Sequence, residues 1–201
     1  MTLLKCLNLN SGSPRRRELL DQIAVPYEVV SAEIDETPFA GEHAQDYVLR
    51  LAEAKARAGY ELLADAPCLG SDTSVVFTAT ADGTELIMGK PKDQQDAERM
   101  LSLLSGTWHS VFSSVCIFDG TKAYCRVSES RVRMRKLSKA EILRYWHSKE
   151  PLGKAGAYAI QGLGAMFIEE LKGSYSGVMG LPLAETAELL DLMALKHGLT
   201  A

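Results

Sequence analysis

The sequence has 201 residues, of which 46% are hydrophobic and 24% are charged, and its formal net charge is -4 with a pI near 5.6. A chain of this length can bury a core without help from disulfides or metals. The acidic balance disfavours broad binding to nucleic-acid polymers or membrane surfaces, so any anion site must be local. We therefore expect a globular protein with a single domain over residues 1–201.

The N-terminus and the cysteines bear on the cellular compartment. The first ten residues become polar quickly, and no apolar run approaches the roughly 20 residues that a membrane span needs. The four cysteines, Cys6, Cys68, Cys116 and Cys125, form no CxxC pair and stand among apolar or strand-like neighbours. This spacing favours small buried side chains in a reducing compartment. Both features predict a cytoplasmic protein.

The hydrophobic pattern of the first half of the chain alternates between strand and helix periods. It predicts strands at residues 3–9, 27–30, 68–72, 74–78 and 85–88, helices at 14–23 and 44–64, and a turn at 81–83. Asp72 and Thr73 separate the third strand from the fourth. An acidic residue is therefore expected where an apolar strand ends, a position at which α/β folds present functional groups.

The second half of the chain adds a hairpin and a glycine-rich segment. It predicts helices at residues 93–105, 138–149 and 183–197, with a hairpin of two strands at 110–118 and 122–134. Residues 152–182 contain seven glycines, a density that indicates turns and close backbone approaches. The interleaved elements, with some strands antiparallel, predict a mixed α/β fold.

The segment SGSPRRR at residues 11–17 places three arginines in the first turn of a helix. The N-terminal end of a helix already carries partial positive charge, so cations are unfavourable there. A bound anion such as phosphate would explain the arrangement, with the backbone N–H groups and the side chains of Arg15 and Arg16 as its ligands. Alternatively, the arginines face solvent or pair with the acidic loop near Glu36.

Acidic residues suggest a second site. Asp72, combined with the acidic trio Glu33, Asp35 and Glu36, would supply the oxygen ligands that Mg²⁺ or Mn²⁺ prefers. Alternatively, Asp72 only forms a turn and the trio belongs to a solvated loop. The positions of Lys55 and Lys90 would allow each ammonium to neutralise a phosphate, as would that of Lys154 in the glycine-rich segment.

Several common catalytic motifs are missing from the sequence. It contains no GxxxxGK[ST] phosphate loop and no GxGxxG dinucleotide fingerprint. The four histidines lack the HExxH spacing of zinc hydrolases, and no GxSxG motif marks a nucleophilic serine. P-loop, Rossmann, zinc and serine-hydrolase chemistry are therefore disfavoured.

Seven motifs in chain order resemble those of the Maf nucleotide pyrophosphatase family. They are SGSPRR at residues 11–16, IDE at 34–36, EAKA at 53–56, GSDT at 70–73, GKP at 89–91, WHSV at 108–111 and KAGAYAIQG at 154–162. The resemblance implies a twisted mixed β-sheet flanked by helices, with two lobes around a central cleft as in inosine triphosphatase. It also implies a homodimer and the metal-dependent hydrolysis of a nucleoside triphosphate to the monophosphate and pyrophosphate.

The resemblance also implies roles for individual residues. Asp72 would be the proton acceptor, and Glu36 and Asp72 would bind a divalent cation, Mg²⁺ or Mn²⁺. The triphosphate would be held by Ser11, Arg15, Arg16, Lys55 and Lys90. Arg15, Thr73 and Gln161 match the positions that mark the subgroup acting on dTTP and UTP. The Gln161 amide offers both a donor and an acceptor, which suits the N3–H and a carbonyl of uracil or thymine.

Three other functions stay open. The protein could act on 7-methyl-GTP, bind nucleotides as a regulator of cell division or septum formation with negligible turnover, or release the γ-phosphate instead of pyrophosphate. The sequence departs from the family pattern at Asn10, Ser71, Gly153 and Ala159. We expect these departures to affect substrate range more than reaction type.

Overall fold

The fold is a mixed α/β structure. The computed structural model describes residues 7–78 and 83–196. The predicted start of the first strand at residues 3–6, the first two residues of the 81–83 turn, Cys6 and His197 lie outside this part of the chain. Of the described helices, none is long and apolar enough to cross a membrane.

Strands and helices alternate over most of the chain. The strands are β1 Leu7–Asn10, β2 Tyr27–Val30, β3 Cys68–Thr78, β4 Glu85–Met88, β5 Trp108–Phe118, β6 Ala123–Met134 and β7 Ile168–Lys172. The helices are α1 Pro14–Gln22, α2 Ala44–Leu62, α3 Gln94–Leu104, α4 Lys139–His147, α5 Tyr175–Met179 and α6 Leu183–Lys196. Two short 3₁₀ helices, Ala155–Ala157 and Leu163–Phe167, and β7 lie in the glycine-rich segment.

Local sequence signals mark the starts of three helices, and in α3 and α4 a side chain accepts a hydrogen bond from a backbone N–H of the first turn. Pro14 stands at the start of α1, where its missing N–H costs nothing. The Asp93 carboxylate accepts a hydrogen bond from the Asp96 backbone N–H at the start of α3. Ser138 and Glu141 cap α4 reciprocally, as a capping box. The predicted starts of these three helices agree with the structure to within a residue.

The strands form one seven-stranded sheet in the order β2-β1-β3-β5-β6-β7, with β4 paired to β3 outside this path. β1 runs parallel to β2 and to β3, whereas β4 is antiparallel to β3 and β7 is antiparallel to β6. The mixed sheet with flanking helices confirms the predicted α/β class.

The break that the sequence predicts at Asp72 is wrong, because β3 is continuous from Cys68 to Thr78. Its first residues pair with β1, at Cys68 and Leu69, and its last four residues pair with β4. Asp72 lies between these two pairing regions and is 8% exposed. The polar residues that resemble a strand end thus mark the point at which the strand changes neighbours.

The chain divides into two compact units, in agreement with the two lobes that the resemblance implies. The first unit comprises residues 1–72, 113–128 and 180–201, and the second comprises residues 73–112 and 129–179. In the first unit, Leu7, Leu20 and Leu51 are fully buried. In the second, Leu101 and Met134 belong to a larger cluster of buried residues.

The sulfur atoms of Cys116 and Cys125 are in contact with each other, a proximity that the sequence did not predict. These residues lie on the neighbouring strands β5 and β6, which a short turn connects, and their Cα atoms are 4.1 Å apart. A separation of nine residues carries no cysteine motif, so the sequence did not reveal the pairing. Cys68 is a buried free thiol, as predicted, and burial raises its pKa to about 11.

Candidate functional site

The loop between β1 and α1 fixes the positions of Ser11 and Arg16. The Ser11 hydroxyl accepts hydrogen bonds from the Ser13 backbone N–H at 3.1 Å and from Arg16 Nη1 at 3.2 Å. Arg16 Nε donates to the carbonyl oxygen of Gly180 at 2.8 Å. The guanidinium is therefore held between two distant segments of the first unit. Arg15 precedes it on α1 and is half-buried.

The charge of Arg16 acts on two carboxylates of the same unit. Burial lowers the pKa of Arg16, while the negative charges of Asp72 and Glu36 raise it. Arginine stays protonated at any physiological pH, so the guanidinium supplies a permanent positive charge here. The structure thus brings Ser11, Arg16, Glu36 and Asp72 into one region.

A close approach between β3 and α2 places Lys55 at this region. Gly70 packs so closely on α2 that a Cβ atom there would lie only 2.9 Å from the Lys55 Cβ and would collide with the Ala52 carbonyl and the Ala56 N–H. Only glycine allows a helix and a strand to approach this closely. The glycine of the GSDT motif thus explains how a lysine on the buried side of α2 reaches β3.

The Lys55 ammonium joins Glu36 and Asp72. Its Nζ lies 2.7 Å from Glu36 Oε1 and 2.7 Å from Asp72 Oδ1. The Lys55 and Asp72 side chains are 13% and 11% exposed, whereas that of Glu36 is 49% exposed. Two carboxylates therefore converge on one cation, and the pair of Lys55 and Asp72 is largely shielded from solvent.

Arg50 holds the loop that carries Glu36. Its guanidinium makes two hydrogen bonds of 2.7 Å to the Glu42 carboxylate and lies 4.0 Å from the centre of the Phe39 ring. Its Nη2 also donates to the Thr37 carbonyl at 3.2 Å. The ion pair with Arg50 lowers the pKa of Glu42 to about 2. The loop after Glu36 is thus fastened to α2.

Asp35 and Tyr47 complete this loop. Asp35 accepts a hydrogen bond from the Thr37 N–H at 2.9 Å, and the hydrogen bonds from Thr37 lower its pKa. The Tyr47 hydroxyl donates to the Glu36 carbonyl at 2.9 Å. Burial, together with the charges of Asp72 and Glu36, raises the pKa of Tyr47 to about 12. Asp35 therefore stabilises the loop, and Glu36 is the member of the acidic trio that reaches Lys55.

Two departures from the family pattern have structural roles beside the site. Asn10 Nδ2 donates to the Lys55 carbonyl at 2.8 Å, and its Oδ1 accepts from the Ala32 N–H at 2.9 Å. The Ser71 hydroxyl donates to the Gly180 carbonyl at 3.2 Å, the same oxygen that accepts from Arg16. Both polar side chains are buried and hydrogen-bonded to backbone.

In the second unit, Lys90 and Gln161 lie on neighbouring loops. The backbone N–H of Gly156 donates to the Gly89 carbonyl at 3.1 Å, which joins the GKP turn to the KAGAYAIQG segment. Gly156 has a φ of 65° and packs on Val75, where a side chain would collide. The Gln161 Oε1 atom is buried and, among the described residues, has no hydrogen-bond partner.

The remaining candidate residues of the second unit are Thr73, Lys154 and Lys90. Thr73 follows Asp72 in β3 and is half-buried. The Lys154 ammonium donates to the Leu152 carbonyl at 3.2 Å, a local contact. Lys90 is exposed. The predicted residues thus form one cluster in the first unit and a second group in the second unit.

Sequence reasoning missed Tyr47, Arg50 and Gly180 as parts of the site. Gly180 belongs to the glycine-rich segment, which the sequence did single out. The spacing of Tyr47 and Arg50 on α2 gives a weak signal, because residues three apart lie on one helix face. Their partners lie in an irregular loop, whose path cannot be read from periodicity.

Glu36 and Asp72 are suitable ligands for a divalent cation. Within the described ranges, no cluster of three or more His, Cys, Asp or Glu side chains is placed to hold a metal. Mg²⁺, however, commonly binds through one or two carboxylates, several waters and substrate phosphates. Two carboxylates that already converge on an ammonium provide that kind of site. The donor set therefore fits a divalent ion that arrives with a phosphate ligand.

The sequence matches the family described as Maf-like protein over residues 6–193. Three relatives carry the name dTTP/UTP pyrophosphatase. The protein of Hahella chejuensis is 48% identical over 193 residues, covering 94% of this chain and 93% of its own length. That of Methylococcus capsulatus is 50% identical over 190 residues, covering 94% and 91%. That of Pseudoalteromonas atlantica is 46% identical over 195 residues, covering 95% and 98%.

The fold is similar to that of the Staphylococcus aureus Ham1 protein. The two structures align with a TM-score of 0.52, over 96% of this chain and 100% of the other, at 13% sequence identity. This likeness shows a shared fold, in agreement with the twisted mixed sheet and flanking helices that the family resemblance implies.

Proposed function

Because the chain belongs to the Maf-like protein family, we propose that it hydrolyses dTTP and UTP to the nucleoside monophosphate and pyrophosphate. The names of relatives that are 46% to 50% identical over nearly the full length support this substrate choice. The convergence of Glu36 and Asp72 on Lys55 carries the proposal, because it supplies carboxylates and a cation at one site.

Asp72 is the proton acceptor in this proposal. It takes a proton from the water whose oxygen forms a bond to the α-phosphorus, while the bond from that phosphorus to the bridging oxygen breaks and pyrophosphate leaves. The side chain of Asp72 is 11% exposed, and the ion pair with Lys55 fixes its orientation. A carboxylate held in one place is suited to this role.

The cations of the first unit bind the triphosphate. An ammonium has three donors, and Glu36 and Asp72 use two of those of Lys55, so the third can donate to a phosphate oxygen. Ser11, Arg15 and Arg16 stand at the start of α1, where the backbone N–H groups favour anions. The family resemblance assigns phosphate binding to Lys90 as well. These groups neutralise the charge that develops on the leaving pyrophosphate.

Glu36 and Asp72 would hold Mg²⁺ or Mn²⁺, which supplies charge neutralisation at the phosphate oxygens when bound. Gln161 reads the base, with Arg15 and Thr73 as the other residues that determine specificity. The orphaned Oε1 atom of Gln161 supports this role, because a buried amide oxygen gains a partner when it meets the N3–H of uracil or thymine.

We also propose that residues 1–201 act as one functional domain, since the family match spans both units. The family resemblance further suggests a homodimer, which light scattering of the purified protein would test. We also propose a cytoplasmic location. Cell fractionation with an antibody to the native protein would test it.

Product analysis tests the proposed reaction. The purified protein is incubated with Mg²⁺ or Mn²⁺ and dTTP, UTP, CTP, dATP, GTP or 7-methyl-GTP, and the released anions are separated. Pyrophosphate from dTTP and UTP at higher rates than from the others supports the proposal. A preference for 7-methyl-GTP would overturn the proposed base specificity. Release of inorganic phosphate instead of pyrophosphate would overturn the proposed position of cleavage. No turnover with any of the nucleotides would overturn the proposed catalysis and favour a protein that only binds nucleotides.

A further inference from the structure

The segment that carries Gln161 is anchored on both sides of that residue. Before it, the Tyr158 hydroxyl lies 2.8 Å from His109 Nε2, and the Ala159 N–H donates to the Tyr145 hydroxyl at 3.1 Å. After it, the N–H groups of Leu163 and Gly164 donate to Glu150. All of these groups belong to the second unit. Gln161 therefore lies on a short stretch of backbone with fixed ends.

Glu150 is the central acceptor of this network. Its Oε2 accepts from the Leu163 N–H at 2.8 Å, and its Oε1 accepts from the Gly164 N–H at 2.9 Å and from the Tyr145 hydroxyl at 2.8 Å. Gly162 packs against the same carboxylate so closely that any side chain there would collide with it. The carboxylate thus contacts the turn that directly follows Gln161.

Gln161 differs from the two residues before it, because it carries a buried polar atom. Ala159 and Ile160 are buried, at 3% and 7% exposed. The Oε1 atom of Gln161 is also buried, yet no group of the described residues donates to it. A buried amide oxygen without a donor is unfavourable, so a bound donor would remove a cost that the folded protein carries.

We propose that Glu150 is a positioning residue for nucleobase selectivity. With the Tyr145 hydroxyl, its carboxylate fixes the backbone around Gln161, so that the amide meets the N3–H and an adjacent carbonyl of uracil or thymine. This inference rests on the proposed function. A cytosine base presents an acceptor at N3 and an amino group beside it, so the same amide orientation opposes CTP.

UTP and CTP isolate this effect, because they share the ribose and the triphosphate and differ only in the base edge. If Glu150 served folding alone, its loss would reduce the amount of active enzyme and lower both rates alike. If it orients Gln161, its loss weakens UTP selectively and leaves the CTP rate unchanged. The ratio of the two kcat/KM values therefore separates positioning from stability.

The experiment compares Glu150→Gln with Glu150→Asp and with the control Glu169→Gln. Glutamine keeps the shape but replaces one acceptor oxygen by a donor, so it cannot accept all three hydrogen bonds. We expect the UTP-to-CTP ratio of kcat/KM to fall about tenfold in Glu150→Gln, through a higher KM for UTP. Aspartate retains the charge and should restore part of the ratio. Glu169 is an exposed partner of Arg133 in the same unit, and its substitution should leave the ratio unchanged.

An unchanged UTP-to-CTP ratio in folded Glu150→Gln, whether or not both rates fall, would overturn the inference. If neither Glu150 variant folds, Tyr145→Phe removes only the hydroxyl and should lower the ratio in the same direction. Absence of pyrophosphate with wild-type protein would refute the proposed function instead. The ratio is then read from the affinities for UTP and CTP by calorimetry, where the absence of a wild-type preference for UTP would also overturn the inference.

Discussion

Gly70 of β3 packs against Lys55 of α2 so closely that a Cβ atom added to Gly70 would lie 2.9 Å from the Lys55 Cβ. The contact sets the distance between the strand that carries Asp72 and the helix that carries Lys55. The ion pair of 2.7 Å between Lys55 and Asp72 depends on this close packing.

Gly70→Ala should therefore destabilise the protein and weaken catalysis together. The added methyl group meets backbone atoms of Ala52 and Ala56, which cannot move aside as a flexible side chain would. Overpacking of this kind costs about 1–3 kcal/mol, measured as the free energy of unfolding in urea. The displaced helix should also lower kcat/KM for UTP.

Gly89→Ala is the matched control, since nothing lies within 4 Å of the added atom and the backbone there is not left-handed. Its free energy of unfolding should stay within about 1 kcal/mol of wild type, because alanine at a compatible position restricts the unfolded chain. A Gly70→Ala variant as stable as Gly89→Ala would contradict the close approach.

Asp72→Asn should lower turnover by about 100-fold or more, the usual range for loss of a general base. Asparagine keeps the shape and one acceptor oxygen for Lys55, so nucleotide binding and folding should persist. The measurement is kcat for UTP, with the affinity for UTP determined by calorimetry.

Asp191→Asn removes an exposed carboxylate of α6 in the same unit and controls for net charge. It should leave kcat unchanged. Turnover by Asp72→Asn at the level of this control would exclude Asp72 as proton acceptor.

The sequence predicted most elements and supplied the candidate site residues, but it did not predict how these residues meet. Periodicity placed α2 correctly, because its apolar face repeats with the helix period, and it identified both halves of β3 as strand. It broke β3 at Asp72, because a polar residue inside a strand looks like its end unless the change of pairing partner is known. The clamp of Arg50 on Glu42 depends on the path of an irregular loop, and the pairing of Cys116 with Cys125 depends on strand register.

Arg50→Lys tests whether the clamp on the Glu36 loop matters. Lysine keeps the charge but loses the planar fork that makes two hydrogen bonds to Glu42 and stacks on Phe39. The loop should loosen, with faster hydrogen exchange at the Phe39 N–H, which donates to Glu42 Oε2. The Mg²⁺ concentration for half-maximal activity should rise several-fold, because Glu36 is less well placed.

Arg57→Lys is the control for this change, because Arg57 lies on the same helix and pairs with Glu53 on the exposed surface. Neither the exchange at Phe39 nor the Mg²⁺ requirement should change. Equal behaviour of Arg50→Lys and Arg57→Lys would rule out a role for the clamp.

His109 should make stability depend on pH between its two pKa values. The ring is 3% exposed and contacts the Tyr158 hydroxyl, and burial lowers its pKa from 6.5 to about 4. Between these values the unfolded chain binds a proton that the folded protein does not. Stability should therefore fall as the pH drops from 6.5 towards 4, by about 3 kcal/mol in total.

Urea unfolding of His109→Gln across this range isolates the contribution, because the amide can still bond to Tyr158 but does not titrate. We expect a flatter profile than for wild type or for His147→Gln, which changes an exposed histidine of α4. Ion pairs with arginine lower the pKa values of Glu42 and Glu141 from 4.5 to about 2. Their contributions to stability are therefore lost only as the pH falls from 4.5 towards 2, below most of the range in which His109 titrates. The same slope in His109→Gln and wild type between pH 6.5 and 4.5 would show that His109 is not the group responsible.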